Sequence, residues 1–184
     1  MPGSEKPTPD LPLNWEKYAH LYKEINVPAK TVLLREGDIS RQAYFIREGC
    51  LRLSFNDNGK DITFQFFFEH YAVSSFESFR NGRPSLFAIE SLEASALLVI
   101  SKQNFDRLIA EAPGYKDFVE EALYQRLEHY THLFLSRIRD TPLKRYQDLV
   151  KEHPQIIRRV PQHYIASYLG ITPVSLSRIR NKRG

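Results

Sequence analysis

Apolar and polar positions alternate along the chain in two different periods, and the change of period divides it. From Val27 to about Ile100 the period is two. Thr31, Val32, Leu33 and Leu34 end at Gly37-Asp38, and Tyr44-Phe45-Ile46 ends at Glu48-Gly49. Leu51, Leu53 and Phe55 alternate with Arg52 and Ser54, and Ile62, Phe64, Phe66 and Phe68 alternate again after Asn58-Gly59. An Asn-Gly pair between two alternating runs predicts a tight hairpin. Further strands fit Phe87 to Leu92 and Ala96 to Ile100. Many short antiparallel strands at this spacing predict a sandwich, barrel or jelly roll.

Beyond Ser101 the period becomes helical. Lys102 to Glu111 places Phe105, Leu108 and Ile109 on one side and closes at Pro113-Gly114. Tyr115 to Arg139 repeats Val119, Leu123, Leu127, Tyr130, Phe134 and Ile138 every three to four residues. A helix of that length is about 37 Å long, more than a compact body of this size needs for cover, which suggests that it packs on a second copy of itself. Asp140-Thr141-Pro142 opens a new helix that His153-Pro154 ends. Two short helices, Pro161 to Leu169 and Thr172 to Asn181, flank Gly170-Ile171, the pattern of a helix-turn-helix. Ahead of the strands, 13–23 carries Trp15, Tyr18, Leu21 and Tyr22 at helical spacing, and the proline-rich 1–12 reads as a disordered lead. The expected organisation is α+β: a roll over 13–114, a long helix over 115–139 and a short helix-turn-helix unit over 140–184.

Charge sharpens this division. The 184 residues carry 26 Lys and Arg against 22 Asp and Glu, a net +4. Eleven of the bases and only three of the acids lie from Arg137 onward, so the last quarter is +8 and the preceding 136 residues are −4. A basic end on an acidic body suggests a polyanion binder tethered to something else. One cysteine, Cys50, excludes an internal disulfide framework, a four-cysteine iron–sulfur site and a cysteine-rich zinc site. The longest unbroken apolar run, Ala96 to Ile100, is far too short to span a bilayer, and no early stretch reads as a signal peptide, so a cytoplasmic protein away from membranes is expected. His129 and His132 lie three apart on the long helix, which fits a solvated or interface face better than a metal pair. No metal, cofactor or catalytic constellation emerges from the spacing, and no enzyme is expected. A lone haem ligand would leave no pattern.

Two segments carry a resemblance to a known family. The run from Val27-Pro28-Ala29-Lys30 through Glu36-Gly37-Asp38 to Tyr44-Phe45-Ile46-Arg47-Glu48-Gly49, and the closing run from Pro161-Gln162-His163-Tyr164 to Ser177-Arg178-Ile179-Arg180, resemble the Crp/Fnr transcription regulators of bacteria. The resemblance implies a jelly-roll sensor of the cyclic-nucleotide-binding type, a long helix that makes a homodimer, and a terminal helix that enters the major groove of double-stranded DNA. Two recognition helices would then read the half-sites of a two-fold operator, roughly 34 Å apart. RNA polymerase would be a further partner of an activator, although no segment marks a contact patch for it.

In that family, members that bind cyclic AMP hold the ribose with a Gly-Glu pair and the phosphate with an Arg-Ser pair. Here the Gly falls on Ser74, the Glu on Ser75 and the Arg on Pro84, while Ser85 survives. Proline supplies neither charge nor N–H, and a buried phosphate needs both. Arg83 is adjacent but should point to the other face. Ser74, Ser75, Arg83 and Ser85 are therefore the candidate pocket for an unknown small-molecule effector, or else the pocket is filled by side chains such as Phe64, Phe66, Phe76 and Phe79. The lone Cys50 does not match the iron–sulfur oxygen sensors of the family. On the DNA side, Arg178 falls on the family's base-reading arginine, with Val174 and Ser175 beside it. Gln162, His163, Thr172, Arg180 and Lys182 are placed for phosphates. Val119, Leu123, Leu127, Tyr130 and Phe134 are the expected dimer residues. Lys151 to Pro161 leaves too little room for the strand hairpin that many relatives place before the motif. A constitutive DNA binder, a cyclic-AMP-responsive regulator and a cupin-like metal enzyme are the alternatives, the last lacking a His-x-His pair.

Overall fold

The computed structural model describes residues 15–181. The expected lead 1–12 and the phosphate candidate Lys182 lie outside the described residues. The fold is α+β. A 3-10 turn (Trp15–Leu21) leads into eight strands: β1 (Tyr22–Val27), β2 (Val32–Leu34), β3 (Gln42–Glu48), β4 (Leu51–Asp57), β5 (Lys60–Phe67), β6 (Ala72–Val73), β7 (Ala88–Ser91) and β8 (Ser95–Ser101). Helix α1 (Phe76–Asn81) interrupts them, and α2 (Lys102–Glu111), α3 (Tyr115–Arg139), α4 (Pro142–Glu152), α5 (Pro154–Arg159), α6 (Gln162–Tyr168) and α7 (Pro173–Asn181) follow.

The strands form two antiparallel four-stranded sheets, ordered β1-β8-β3-β6 and β2-β7-β4-β5. Apart from the β4–β5 hairpin, neighbours in each sheet are distant in sequence, as in a jelly roll. The β4–β5 hairpin turns at Asn58 and Gly59, both at positive φ (51° and 87°), the backbone that an Asn-Gly pair adopts most readily. Alternation sends the hairpin's two faces to different cores. Leu51, Leu53 and Phe67 join Leu34, Tyr44, Ile46, Val73, Ile89, Leu97 and Val99 inside the roll. Phe66 and Phe68, with Cys50, face outward into a second core built mainly by Tyr146, Leu149, Ile156, Val160, Ile165, Ala166, Tyr168, Leu169 and Leu176 of the C-terminal helices. A smaller cluster ties Tyr18, Leu21 and Ile100 to Leu108, Ala112 and Tyr115.

Gly49, at φ +109°, brings the start of β4 so close to β8 that a Cβ there would lie 2.6 Å from the Ser95 Cβ. Its N–H donates to Glu69 Oε1 at 2.9 Å.

Two local expectations are corrected. The helix expected over 13–23 is a 3-10 turn followed by β1, because Tyr22–Val27 pairs residue by residue with Ile100–Ser95 and this non-local ladder overrides the local spacing. His153-Pro154 ends α4 as expected but also opens α5, with Pro154 at its first position.

Candidate functional site

The C-terminal motif is built by caps at both ends of its turn. Helix α6 stops at Leu169-Gly170, where Gly170 takes φ +67° and the Ile171 N–H reaches back to the Ala166 carbonyl at 3.0 Å. The Thr172 hydroxyl then caps α7, accepting from the Ser175 N–H at 3.1 Å and lying 3.0 Å from the Ser175 hydroxyl. Leu176, fully buried, pins α7 onto Ile165, Ala166 and Leu169, with Ile179 packed alongside. The opposite face presents Pro173, Val174, Ser177, Arg178 and Arg180 to solvent, while Ser175 is half-buried. Gln162 and His163 are exposed at the start of α6, where the His163 ring packs on Tyr164 with centroids 3.9 Å apart.

Two guanidiniums hold the turn from behind. Arg137, in the last turn of α3, donates to the Tyr168 carbonyl. Arg145, on α4, donates to the Leu169 carbonyl at 2.9 Å and to the Asp140 carbonyl at 2.7 Å. On the other side the motif rests on the roll. The Thr63 N–H of β5 donates to the Ser167 hydroxyl at 2.9 Å, and the Arg52 guanidinium lies 4.1 Å from the Tyr164 ring centroid. Arg52 is nearly buried but amply paired, with Glu90 at 2.6 Å, Asp61 at 2.9 Å and the Thr63 hydroxyl at 2.9 Å.

Below these contacts, Arg159 of α5 makes a forked pair with Glu69 at 2.7 and 2.9 Å and also binds Glu93. The hydrogen bonds from Arg159 dominate the Glu69 carboxyl and, against the opposing effect of burial, lower its pKa from 4.5 to about 2. Because the folded pKa is depressed, this stabilisation is complete above about pH 5 and is lost as pH falls towards 2. Thermal melts between pH 6 and 2.5 should show a loss of about 2 kcal/mol from this group in the wild type, and a shallower decline in Glu69→Gln. Equal slopes in the two proteins would remove Glu69 from the acid sensitivity.

The candidate effector residues divide. Ser75 and Ser85 are both buried, and their hydroxyls hydrogen-bond each other at 2.8 Å, with Phe87 O 2.7 Å from the Ser85 hydroxyl. Ser74 beside them is half-buried. Arg83 does not join them: its side chain is 74% exposed and sits 3.7 Å from Glu77. Pro84 bridges to Ile39 in backbone register, which turns the 83–85 segment so that only Ser85 faces inward. Of the aromatic side chains expected to fill the roll, Phe64 does pack there, edge-on to Phe87 at 5.3 Å. Phe66 instead meets Tyr168 on the outer face, Phe79 meets Phe105 of α2, and Phe76 is half-buried. From α3, Arg126 lies 4.0 Å from the Phe67 ring centroid, and His129 Nε2 donates to Gln65 Oε1 at 3.1 Å. Burial, followed by the charges of Arg126, His153 and His132, lowers the His129 pKa to about 4, so the ring is neutral at pH 7.

The residues that the sequence places in one stripe of helix α3 fall on two faces. Val119, Leu123 and Tyr130 are half-buried, whereas Leu127 and Phe134 are each 64% exposed. Tyr124 (67% exposed) and Ile138 (69%) complete the exposed row. With Thr131, the spacing 124, 127, 131, 134, 138 is the 3-4-3-4 repeat of a coiled-coil seam. Thr131 at its centre turns its hydroxyl onto the Leu127 carbonyl at 2.9 Å. Ile138 already stood in the looser repeat, whereas Tyr124 was legible only in that stricter spacing.

A two-sheet roll is followed by a long helix and a basic helix-turn-helix. Residues 24–112 match the family model of the cyclic nucleotide-binding domain. Among solved structures the chain is similar to the c-di-GMP responsive global regulator CLP of Xanthomonas campestris, with a TM-score of 0.74, 19% identity and 91% of this chain matched to 88% of that one. It is also similar to a CooA variant from Carboxydothermus hydrogenoformans (0.74, 16%, 97% and 86%) and to a protein from Eubacterium rectale assigned to the Crp/Fnr regulators (0.72, 16%, 94% and 83%). No match was found among curated protein sequences. The chain thus shares the fold of Crp/Fnr transcriptional regulators, with the match to the cyclic nucleotide-binding domain lying in its roll. Among the described residues no helix is long and apolar enough to cross a membrane.

Proposed function

We propose that the chain is a dimeric, sequence-specific DNA-binding transcription regulator of the Crp/Fnr type that does not answer to cyclic AMP. The observation that carries this reading is the capped helix-turn-helix, whose second helix is pinned by Leu176 and presents Arg178 and Val174 to solvent. Arg178 is suited to bidentate contact with guanine, and Val174 to a thymine methyl, with Ser175 in the same first turns. Gln162, His163, Thr172 and Arg180 border this face and would take phosphates. The seam of Tyr124, Leu127, Thr131, Phe134 and Ile138 would pair with its copy and set two recognition helices on a two-fold operator.

The effector half rests on Ser75 and Ser85. Two mutually bonded hydroxyls, with Arg83 turned away to Glu77, are a poor seat for a cyclic phosphate. The same closed pair favours a second reading, a constitutive DNA binder whose roll takes no effector. Isothermal titration with cyclic AMP should give no heat, and titration with a metabolite panel separates the two readings.

The DNA reading is tested by selection from a random-sequence duplex library. Wild-type protein should enrich a two-fold site. Arg178→Ala should lose about 10- to 100-fold on that site, roughly 1–3 kcal/mol, and relax one base position in each half. Unchanged selection by Arg178→Ala would remove α7 from base reading.

A further inference from the structure

The last turn of α3 and the turn of the helix-turn-helix meet at one side chain. A helix leaves its final carbonyls without intrahelical partners, and at the end of α6 two of them, on Tyr168 and Leu169, fall in the interior. Continuing the helix would have satisfied the Leu169 carbonyl through residue 173, but residue 173 is proline and has no N–H to give. The chain supplies guanidiniums instead, Arg137 to Tyr168 O and Arg145 to Leu169 O. A cation on the carbonyl end of a helix is favoured by both hydrogen bonding and the helix dipole. Arg145 sits on α4 and is anchored a second time, on the Asp140 carbonyl at the junction of α3 and α4. Arg137 sits on α3 itself. Its Nη1 lies 3.1 Å from where a Gly170 Cβ would be, so the guanidinium packs directly over the turn that aims α7.

We propose that Arg137 is a positioning residue for DNA reading: it fastens the helix-turn-helix turn to the end of the long helix, so that the orientation of α3 dictates that of α7. The proposal rests on α7 being the DNA-reading helix. Arg137 reaches that helix only through the Tyr168 carbonyl and the Gly170 turn. Without it, α6 and α7 remain packed by Leu176 and Ile165, but the direct tie between their turn and α3 is lost. Their angle to α3 then rests on Arg145 and the contacts with the roll.

The experiment uses the full chain with spin labels at Lys116→Cys and Ser177→Cys, diluted in unlabelled protein so that only distances within one chain are read. Cys50, 1% exposed, escapes labelling. Wild-type protein should give one narrow distance. Arg137→Met, which keeps the aliphatic stem but no donor, should broaden or shift it, and Arg137→Lys, which keeps one donor, should restore most of it. On the selected DNA site Arg137→Met should lose about tenfold in affinity, with its salt slope unchanged because no phosphate contact is removed. An unchanged distance distribution in Arg137→Met overturns the proposal. So does a uniform loss on all sequences with the salt slope lowered by about 1, which would make Arg137 a phosphate contact. Should wild-type protein select no sequence at all, the DNA reading fails, while the distance measurement still decides whether Arg137 couples the two helices.

Discussion

Replacing Gly49 with alanine should cost about 2–5 kcal/mol, a large share of the roughly 5–15 kcal/mol that holds a domain of ordinary stability folded. Two independent penalties add. At φ +109° an L-residue is strained by about 1–2 kcal/mol. The new methyl would also stand 2.8 Å from the Ser95 Cα and 2.6 Å from its Cβ, and a backbone atom at the start of β8 cannot rotate away, which adds about 1–3 kcal/mol of overpacking. Gly37→Ala is the internal control. Its φ is +86°, but a Cβ there meets nothing within 4 Å, so only the backbone strain of about 1–2 kcal/mol applies. Urea denaturation of both variants checks the difference. Midpoints lowered by the same amount would mean that β4 and β8 do not approach as closely at Gly49 as described.

The second large effect concerns the α3 seam. Phe134→Ala combined with Leu127→Ala removes two apolar side chains from each copy of a paired α3. At about 1.5–3 kcal/mol per buried side chain, even partial burial makes the dimer at least about a hundredfold weaker. Sedimentation equilibrium should show dimer in the wild type and monomer in the double variant at micromolar concentration. The intrinsic stability of the single chain should change little, because both side chains are exposed within it. The melting temperature should therefore fall only by what loss of the dimer removes. Affinity for a two-fold site should collapse towards that of an isolated half-site. A variant that sediments like the wild type would move the dimer contact off this helix.

Much of this arrangement was legible before the structure. Asn58-Gly59 between alternating runs marked the β4–β5 hairpin, and Gly170 followed by Thr172 marked the turn and cap of the helix-turn-helix. Both signals are local, and the physics that fixes them acts within five residues. What the sequence concealed is non-local. Tyr22 continues the helical spacing of Tyr18 and Leu21, yet its backbone is claimed by Ile100 on β8. Arg52, Glu90 and Tyr164 form one cluster although the chain separates them widely, and no periodicity marks it. Arg83 shares the pocket's sequence neighbourhood but not its interior, because Pro84 bridges to Ile39 and leaves Arg83 beside Glu77 at the surface. On α3 the looser three-to-four repeat drew Val119, Leu123 and Tyr130 into the same stripe as Leu127 and Phe134. The polar Thr131 in mid-seam hid the stricter repeat.

The outer face of the β4–β5 hairpin and the C-terminal helices bury Phe66, Phe68 and Cys50 together with Tyr168, Ile165 and Leu176. Roll and helix-turn-helix therefore do not melt as separate cooperative units. Swinging the motif free would uncover aromatic rings on both sides, and a motif grafted from another protein of this fold would leave those rings facing a surface not cut to fit them. Any molecule that tightens the roll consequently also raises the cost of opening α6 and α7, so occupancy at one end of the chain is felt at the other as resistance to local unfolding.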